Sequence, residues 1–549
     1  MNRTSDLPDA GKGIRGFLTR RLPWLRRRAR IRQYLDDLWA GRSSKPVDFE
    51  LIEIYHRFQD PAGESVDDHT WKDLDLKAVF QKLDRTAGAP GAQYLYHRLR
   101  SHGNGDSPVY SDDRFGQWLS GHPDLRRKIQ RILFRLRHDA AHYIPYLLYG
   151  DLAVNTAWTI PFLLLGLLSL SSIVLTFFFF QCILAALFFS LVNMIIHTRY
   201  AGKIYEHFSS LSSFNQLLRS ARELADLKGV DGTEEIAALR ARRELIVRMQ
   251  SRIGWAVVDK NALDDIARSF LEYFNQFCLL DLVLFLTSVK NIRKHQAAFR
   301  DIHERLGRLD ARMAIASYRE EARYFTRAGF TDEKKLSLAG AVHPLLDHPV
   351  PNDLDLRNQS ALITGSNMAG KTTLLRTVGV NFILGHSLGF CLADRALLPR
   401  MGIRTLIERE DDITTGKSYY FVEVERIRSF TGTDEKGCLL LVDEMYRGTN
   451  SVERIAASAA VLNFIGRQNI VLATTHDAEL QERVSDRYRG YHFSESIREG
   501  QCCFDYKLKA GSSGERNAIR FLQVCDYPSD IIREARRLAD ELEPKFGSN

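Results

Sequence analysis

The chain has 549 residues, of which 45% are hydrophobic and 26% are charged, and its net charge is +8. This length allows two to four domains and a sizeable buried core. The seven cysteines include no CxxC pair and no metal-ligand spacing, which favours buried thiols in a reducing compartment over a disulfide scaffold or a metal site.

Positive charge is concentrated at the start of the chain. Residues 1–45 are predicted to form a basic arm, because nine Lys and Arg residues and no acid occur between Lys12 and Arg32. Apolar side chains are interleaved with these arginines, for example Phe17 and Trp24. This pattern favours an anionic membrane surface, while nucleic-acid phosphate and a disordered tail remain open alternatives. No apolar region follows the charges, so a secretory signal is not expected.

Helical periodicity dominates on both sides of a long apolar segment. Residues 46–150 and 198–345 are predicted to be helical, because their apolar residues recur at a spacing near 3.6. Residues 346–525 alternate instead between apolar strands and helices, which predicts a mainly parallel α/β sheet. Residues 528–542 are predicted to form a charged amphipathic helix.

The apolar segment is Leu152–Ile196, which contains no charged residue. One crossing of a bilayer needs about 20 apolar residues, so this segment is long enough for two. We predict a transmembrane helical hairpin at residues 151–197, with its turn at Ser169–Ser172. A pair of very hydrophobic helices in a soluble core is the alternative. A shorter apolar stretch, Phe277–Val289, contains Asp281 and is predicted to be a buried soluble helix.

The residues that flank the hairpin predict its orientation. Lys and Arg are frequent before it, between Arg126 and Arg137, and they recur after it at Arg199 and Lys203. Positive residues mark the cytoplasmic side of a membrane protein, so both ends of the hairpin are expected to face the cytoplasm.

A glycine-rich loop follows a predicted strand in the C-terminal part. The strand is Ala361–Ile363, and the loop Gly365–Thr372 fits the phosphate-binding pattern G-x-x-x-x-G-K-[ST]. Glycines let backbone N–H groups turn towards phosphate oxygens, and the helix predicted after the loop adds partial positive charge. Lys371 would reach the outer phosphates, and Thr372 would hold Mg²⁺. A glycine-rich turn without a ligand is the alternative.

Two further predicted strands end at polar residues. Leu439–Val442 leads into Asp443 and Glu444. This pattern predicts that Asp443 binds Mg²⁺ and that Glu444 orients or deprotonates an attacking water. The strand Ile470–Thr475 ends at His476, which is placed to sense the γ-phosphate. The alternatives are a strand that ends in solvated acids and a histidine that caps a turn.

Five segments of the chain resemble sequences of the MutS family of ATPases. They are Thr364–Thr373 (TGPNMGGKST in the family), Asp411–Glu423 (DDLASGRSTFMVEM), Asp443–Ser451 (DEIGRGTST), Ala473–His476 (ATH) and Tyr506–Gly511 (YKLKPG). A looser resemblance to the start of the MutS core domain begins at Trp71. Together the similar regions cover roughly residues 65–140 and 260–540.

The resemblance implies a fold, cofactors and site residues. It implies an α/β P-loop NTPase of the ABC/MutS type at 346–549, a helical core and lever region at 46–150 and 198–345, and a dimer that uses ATP and Mg²⁺. By this resemblance, Ser418 contacts the nucleotide of the partner chain and Val350 packs on adenine. Further nucleotide contacts are implied at Gly365, Asn367, Met368, Ala369, Gly370, Lys371, Thr372 and Thr373.

The chain also departs from the family pattern. Ala369 and Tyr446 replace glycines, the residues before 65 fit no mismatch-reading domain, and the hairpin stands where the family has a DNA clamp. Two functions therefore remain open. One is a mismatch-repair-type ATPase that binds DNA and is held in the inner (cytoplasmic) membrane as a multi-pass protein, with its ATPase domain in the cytoplasm. The other is an ATP-driven conformational switch that acts on a protein or lipid partner without specific DNA recognition.

Overall fold

The structure is a computed structural model, and it describes most of the chain. The described residues are 23–43, 45–59, 66–101, 113–151, 154–230, 233–254, 273–366, 369–407, 419–432, 437–446, 449–477, 479–498, 501–511 and 527–546. Most of the predicted basic arm therefore lies outside them. The chain forms two compact units, one drawn from Met1–Gly63, Leu83–Arg98 and Val109–Glu321, and the other from Glu64–Lys82, Leu99–Pro108 and Ala322–Asn549. The five-part division made from the sequence stays a prediction.

The part of the chain before residue 322 is helical, as its periodicity predicts. Its α-helices are α1 (Pro23–Trp39), α2 (Phe49–Gln59), α3 (Asp68–Asp73), α4 (Leu76–Leu83), α5 (Ala89–Arg100), α6 (Asp113–Gly121), α7 (Pro123–Leu133), α8 (Ile144–Tyr149), α9 (Thr159–Thr176), α10 (Ile183–Ala225), α11 (Glu234–Ala241), α12 (Arg243–Gly254), α13 (Leu280–Lys294) and α14 (Gln296–Glu321). The long helix α14 buries one apolar face in the core of the first unit. Its buried Asp310 accepts hydrogen bonds from the N–H groups of Ala87 (2.9 Å) and Gly88 (2.8 Å), and so fixes the entry to α5.

The apolar segment forms two antiparallel helices, α9 and the first half of α10. Two spans, Thr156–Thr176 and Phe180–Tyr200, are long and apolar enough to cross a membrane by length and composition. The predicted turn at Ser169–Ser172 is wrong, because the helix continues to Thr176 and the chain turns at Phe177–Phe179. The Ser172 hydroxyl donates to the Ser169 carbonyl (2.8 Å). A serine that is satisfied within its own helix does not interrupt it.

The second apolar stretch, Phe277–Val289, forms a buried helix from Leu280 onwards, as its Asp281 predicts. Helix α13 begins at Leu280, after Leu279 in a left-handed conformation, and it buries Phe285, Leu286 and Val289. Asp281 is itself buried and lies 3.0 Å from the imidazole of His197 on α10. The expectation of a buried helix is thus confirmed from Leu280 onwards.

The second unit is an α/β fold, as predicted. Its strands are β1 (Thr326–Arg327), β2 (Gly329–Thr331), β3 (Lys335–Ala341), β4 (Asn352–Arg357), β5 (Ser360–Thr364), β6 (Phe390–Cys391), β7 (Arg395–Pro399), β8 (Gly402–Leu406), β9 (Cys438–Asp443), β10 (Ile470–Thr475), β11 (Tyr488–Arg498) and β12 (Gln501–Ala510). Its later helices are α15 (Lys371–Leu388), α16 (Tyr419–Ser429), α17 (Ser451–Ile465), α18 (Leu480–Arg483) and α19 (Ser529–Phe546).

The main sheet of this unit has six strands in the order β12-β11-β5-β10-β9-β8. All neighbours are parallel except β11 and β12. The central strands β5 and β10 are buried along their whole length, as parallel strands covered on both faces require. A four-stranded sheet, β2-β7-β3-β4, and the pair β1-β6 complete the unit.

A segment from early in the chain is part of this unit. The Asp73 carboxylate accepts hydrogen bonds from the Thr405 hydroxyl (2.6 Å) and the Ile407 N–H (2.9 Å), at the edge strand β8. Leu74 packs so closely on α15 that a Cβ at Gly379 would lie 2.6 Å from its side chain. The segment at Trp71–Leu76 is therefore an anchor for the outer strand and for the helix that follows the glycine-rich loop.

Candidate nucleotide site

Three neighbouring strands of the main sheet end at the same edge. Because β5, β10 and β9 run parallel, Thr364, Thr475 and Asp443 lie side by side at their carboxyl ends. In open α/β sheets, ligands bind at this edge. The predicted site residues of the loop and of both later strands therefore lie together at the carboxyl edge of the main sheet.

The glycine-rich loop connects β5 to α15. Gly365 and Gly370 both have positive φ, 136° and 104°, and a Cβ at Gly365 would lie 3.1 Å from the carbonyl oxygen of Phe493. Both positions therefore need glycine. Ala369, which replaces a glycine of the family pattern, is buried and donates its N–H to the Ser366 carbonyl (3.2 Å). Asn367 and Met368 lie outside the described residues.

Lys371, the first residue of α15, lies at the centre of the site. Its side chain is only 1% exposed. Its Nζ lies 2.5 Å from the Gly365 carbonyl oxygen, 3.1 Å from Nε2 of His476 and 3.6 Å from Oε1 of Glu444. A buried ammonium in this position can be shared between the loop, a carboxylate and an imidazole.

Glu444 and His476 form a second close pair. Nε2 of His476 lies 2.6 Å from Oε1 of Glu444, whose side chain is only 6% exposed. A cavity of about 310 Å³ opens beside them. The structure thus brings together the three residues predicted to be catalytic, and it places a buried carboxylate where an imidazole and an ammonium both contact it.

Thr372 and Asp443 supply the oxygen atoms expected at a magnesium site. The Thr372 hydroxyl donates to Oδ2 of Asp443 (2.7 Å), and the Thr474 hydroxyl donates to Oδ1. Among the described residues, no group of three His, Cys, Asp or Glu side chains could hold a metal ion. The donor set fits Mg²⁺, which is held in such sites by one or two protein oxygens, water and phosphate.

The backbone after β9 is held in an unusual conformation. Glu444 and Tyr446 both have positive φ, 50° and 58°. Left-handed conformations cost a residue other than glycine about 1–2 kcal/mol, which explains why the family pattern has a glycine at the position of Tyr446. The buried Glu423 carboxylate accepts the Tyr446 N–H (2.6 Å), and the Thr474 carbonyl accepts the Glu444 N–H (3.2 Å). These contacts orient the Glu444 side chain. The role of Glu423 was not predicted from the sequence.

The remaining predicted contacts are more peripheral. Val350 precedes β4, and its carbonyl accepts the Asn352 amide (3.2 Å), which also donates to the Tyr506 carbonyl (2.9 Å). The Tyr506 ring lies 3.4 Å from where a Cβ on Gly370 would stand, so β12 brings an aromatic ring to the loop. The Thr373 side chain is exposed on the first turn of α15. Ser418 and its loop lie outside the described residues.

One pair beside His476 was missed from the sequence. Arg454, on α17, makes a bidentate ion pair with Asp477, with distances of 2.8 and 2.7 Å. The Asp477 N–H also donates to the Thr475 hydroxyl (3.0 Å). Because Asp477 follows His476 directly, this pair holds the loop that presents the imidazole to Glu444. An arginine near a strand-end acid gave no sequence signal, since the two residues are on different elements.

This pair predicts a measurable effect on ATP turnover. Arg454→Ala should lower kcat about tenfold and change nucleotide affinity little, because the imidazole loses its support while the loop and Lys371 are untouched. The control is Arg483→Ala, which removes an exposed arginine from α18 in the same unit. Steady-state kinetics measure both variants. An unchanged kcat in Arg454→Ala would show that the ion pair does not position His476.

Comparison with known proteins agrees with this geometry. Residues 361–543 match the family model for MutS domain V. Relatives described as DNA mismatch repair protein MutS include those of Roseiflexus sp. (strain RS-1), 30% identical over 250 residues (43% of this chain, 23% of the relative), and Thermus thermophilus, 30% identical over 260 residues (46% and 32%). That of Geobacillus kaustophilus is 27% identical over 319 residues (56% and 35%). The matched region spans only about a quarter to a third of the length of these relatives.

Proposed function

We propose that the chain is a MutS-family ATPase that binds and hydrolyses ATP, because its residues 361–543 match MutS domain V. The observation that carries the proposal is the contact of Lys371, Glu444 and His476 beside the Thr372–Asp443 pair. A cation, a buried carboxylate and two oxygen ligands at the end of a glycine-rich loop are the groups that phosphoryl transfer needs.

Each residue has a distinct role in this proposal. The Lys371 ammonium binds the outer phosphates, with the loop N–H groups around it. Thr372 and Asp443 would hold Mg²⁺, which would supply positive charge beside the phosphates. Glu444 orients the attacking water and accepts its proton, while His476 holds the Glu444 carboxylate in place (2.6 Å) and senses the γ-phosphate.

The proposal extends to a homodimer on sequence grounds. By resemblance to the family, Ser418 of each chain would reach the nucleotide held by the other. Two ATP molecules would then join two ATPase units, and hydrolysis would loosen them. The Arg454–Asp477 pair and the Glu423 contact hold the catalytic side of this site within one chain.

We also propose that the chain is anchored in the inner (cytoplasmic) membrane, with its ATPase unit in the cytoplasm. The support is the pair of apolar spans, of whose residues only 22% and 11% are buried by protein. A soluble core helix would be covered on most of its surface, whereas lipid can cover these side chains. The basic flanks at Arg135 and Arg199 support a cytoplasmic position for both ends of the hairpin.

The partner on which ATP hydrolysis acts is tested by DNA titration. The relatives are named for DNA mismatch repair, which supports duplex DNA, whereas the hairpin in the position of the clamp supports a switch that acts on a protein or lipid partner. Detergent-purified protein is titrated with long duplex DNA at several salt concentrations. Binding that falls steeply with salt supports the DNA function. ATP turnover without DNA binding supports the conformational switch.

A further inference from the structure

The hairpin of α9 and the first half of α10 presents a continuous apolar surface that the described part of the chain does not cover. The exposed side chains extend from Ile160 to Ile195, and the most exposed ones are at the turn. There Phe177 is 87% exposed, and Phe178 and Phe180 are each more than three-quarters exposed. An exposed apolar surface of this extent marks an interaction site.

Aromatic residues differ between the two ends of the hairpin. Trp158 and Tyr200 stand at its base and are both partly exposed, and Tyr143 and Tyr146 are exposed on neighbouring helices of the same unit. The sequence between Trp158 and Tyr200 contains neither Trp nor Tyr, and the turn carries only phenylalanines. Since Trp and Tyr collect at membrane–water interfaces, the base is marked as an interface and the turn is not.

Polar contacts clasp the lower part of the hairpin. The Asn193 amide, fully buried, donates to the carbonyl oxygens of Phe277 (2.6 Å) and Leu165 (3.3 Å). The His197–Asp281 pair lies one turn nearer the base. Gly166 packs so closely that a Cβ there would lie 2.2 Å from the Cys278 carbonyl oxygen. Residues 277–281 therefore hold the half of the hairpin that is nearer its base.

The hairpin is no longer than the hydrocarbon core of a bilayer is thick. From Tyr200 at its base to Phe180 at its turn, the second span rises about 30 Å at 1.5 Å per residue. The full length of α9, 18 residues, gives about 27 Å. The hydrocarbon core is about 30 Å thick, and any tilt reduces the depth that the hairpin reaches.

The turn itself suits an apolar environment. The N–H groups of Phe177, Phe178 and Phe179 donate to carbonyls in the last turn of α9, and that of Cys182 donates to the Phe179 carbonyl, at 2.8 to 3.2 Å. Backbone groups in hydrocarbon must be satisfied in this way, whereas a loop in water has no such need. Gln181 is the only amide or charged side chain between Phe177 and Cys182.

We propose that the hairpin enters the bilayer from one face only and that its phenylalanine turn ends within the hydrocarbon, without emerging on the far side. The occupant of the apolar surface is thus lipid acyl chain, and all polar parts of the chain lie on one side. This proposal rests on the proposed membrane anchoring and specifies its depth.

Thiol labelling of the full chain in sealed liposomes tests the proposal. The liposomes contain zwitterionic and anionic phospholipids. A membrane-impermeant maleimide is added outside in one sample and enclosed in the lumen in a second. The reporters are the native Cys182, which is half-buried, and Phe177→Cys, at a position that the described part of the chain leaves 87% exposed. Ser251→Cys, at an exposed position on α12, reports the fraction of chains whose polar part faces outwards. Peptide-resolved mass spectrometry measures each site, SDS-dissolved samples give full labelling, and flotation measures membrane association.

The outcomes separate the depth of insertion from the anchoring itself. We expect the chain to float with the liposomes and both turn reporters to be labelled at least about tenfold less than Ser251→Cys, because a thiol in hydrocarbon does not ionise. Labelling of the turn reporters by the enclosed maleimide to the extent that Ser251→Cys is labelled from outside would show that the turn crosses, which overturns this proposal and leaves the anchoring intact. A chain that fails to float, whether its turn is labelled or not, overturns the anchoring as well.

Discussion

Lys371→Ala should weaken ATP binding by at least about a hundredfold. The side chain is 1% exposed, and its ammonium lies against the glycine-rich loop, His476 and Glu444. Truncating one partner of a buried, hydrogen-bonded charge pair between binding partners, here the ammonium and the outer phosphates, costs about 2–5 kcal/mol, and each 1.4 kcal/mol is a tenfold change in affinity. Equilibrium binding of a fluorescent ATP analogue by the detergent-purified chain measures the effect.

A matched lysine controls for charge and for folding. Lys334→Ala removes a lysine whose Nζ contacts the Arg467 carbonyl (3.4 Å), away from the glycine-rich loop, and should leave ATP affinity unchanged. Thermal unfolding of both variants shows whether they are folded, since Lys371→Ala also leaves the buried Glu444 with one cationic neighbour fewer. ATP binding of near wild-type strength by folded Lys371→Ala would contradict the assignment of the loop as the phosphate site.

Glu444→Gln should keep ATP binding and slow hydrolysis by about a hundredfold or more. Glutamine has the same shape and can still contact His476 and Lys371, but its amide cannot accept a proton from water. Loss of a positioned general base typically costs 10²–10⁴ in rate, by order of magnitude about 3–5 kcal/mol in the barrier. Phosphate release measured at saturating ATP, together with the binding assay, separates the two effects.

The conservative change needs a control at a carboxylate of the same kind. Glu482→Gln, on the exposed face of α18, makes the same substitution away from the strand ends and should turn over ATP at the wild-type rate. Wild-type turnover by Glu444→Gln would reject Glu444 as the residue that activates water. Loss of binding by Glu444→Gln would mean that the carboxylate is needed chiefly to hold Lys371 in place.

The candidate site could be predicted largely from local sequence. A strand, a loop with glycines at fixed spacing and a helix form one continuous segment. Gly365, Lys371 and Thr372 can therefore be recognised from their positions in the motif. Asp443 and His476 end apolar runs, and parallel pairing of β5, β10 and β9 then brings them together without further information. Patterns that are complete within a dozen residues carry this kind of prediction.

Contacts between distant segments could not be predicted in this way. The anchor of Asp73 on Thr405 joins residues 332 positions apart, and neither residue has a distinctive neighbourhood. The Arg454–Asp477 pair likewise joins a helix to a strand end. Such pairs depend on which elements become neighbours, which is a property of the tertiary fold.

The prediction of the hairpin turn was wrong for a different reason. Serine favours turns in water because its hydroxyl competes for backbone groups, and this favoured Ser169–Ser172 as the turn. In an apolar helix the same hydroxyl bonds back to its own helix, as Ser172 does to the Ser169 carbonyl (2.8 Å). The four phenylalanines, which give no turn signal, lie where α9 ends at Thr176 and a short 3-10 helix, Phe180–Cys182, leads into α10.

The central claim is that the carboxyl ends of β5, β9 and β10 form a magnesium-dependent, ATP-hydrolysing site. The most direct measurement is phosphate release from ATP by the full chain in detergent, with Mg²⁺ present and after its removal by EDTA, with Glu444→Gln as the background. The account predicts turnover that requires Mg²⁺, returns when Mg²⁺ is restored, and falls to background in Glu444→Gln. Absence of ATP binding by the folded wild-type chain, or turnover equal in wild type and Glu444→Gln, would contradict it.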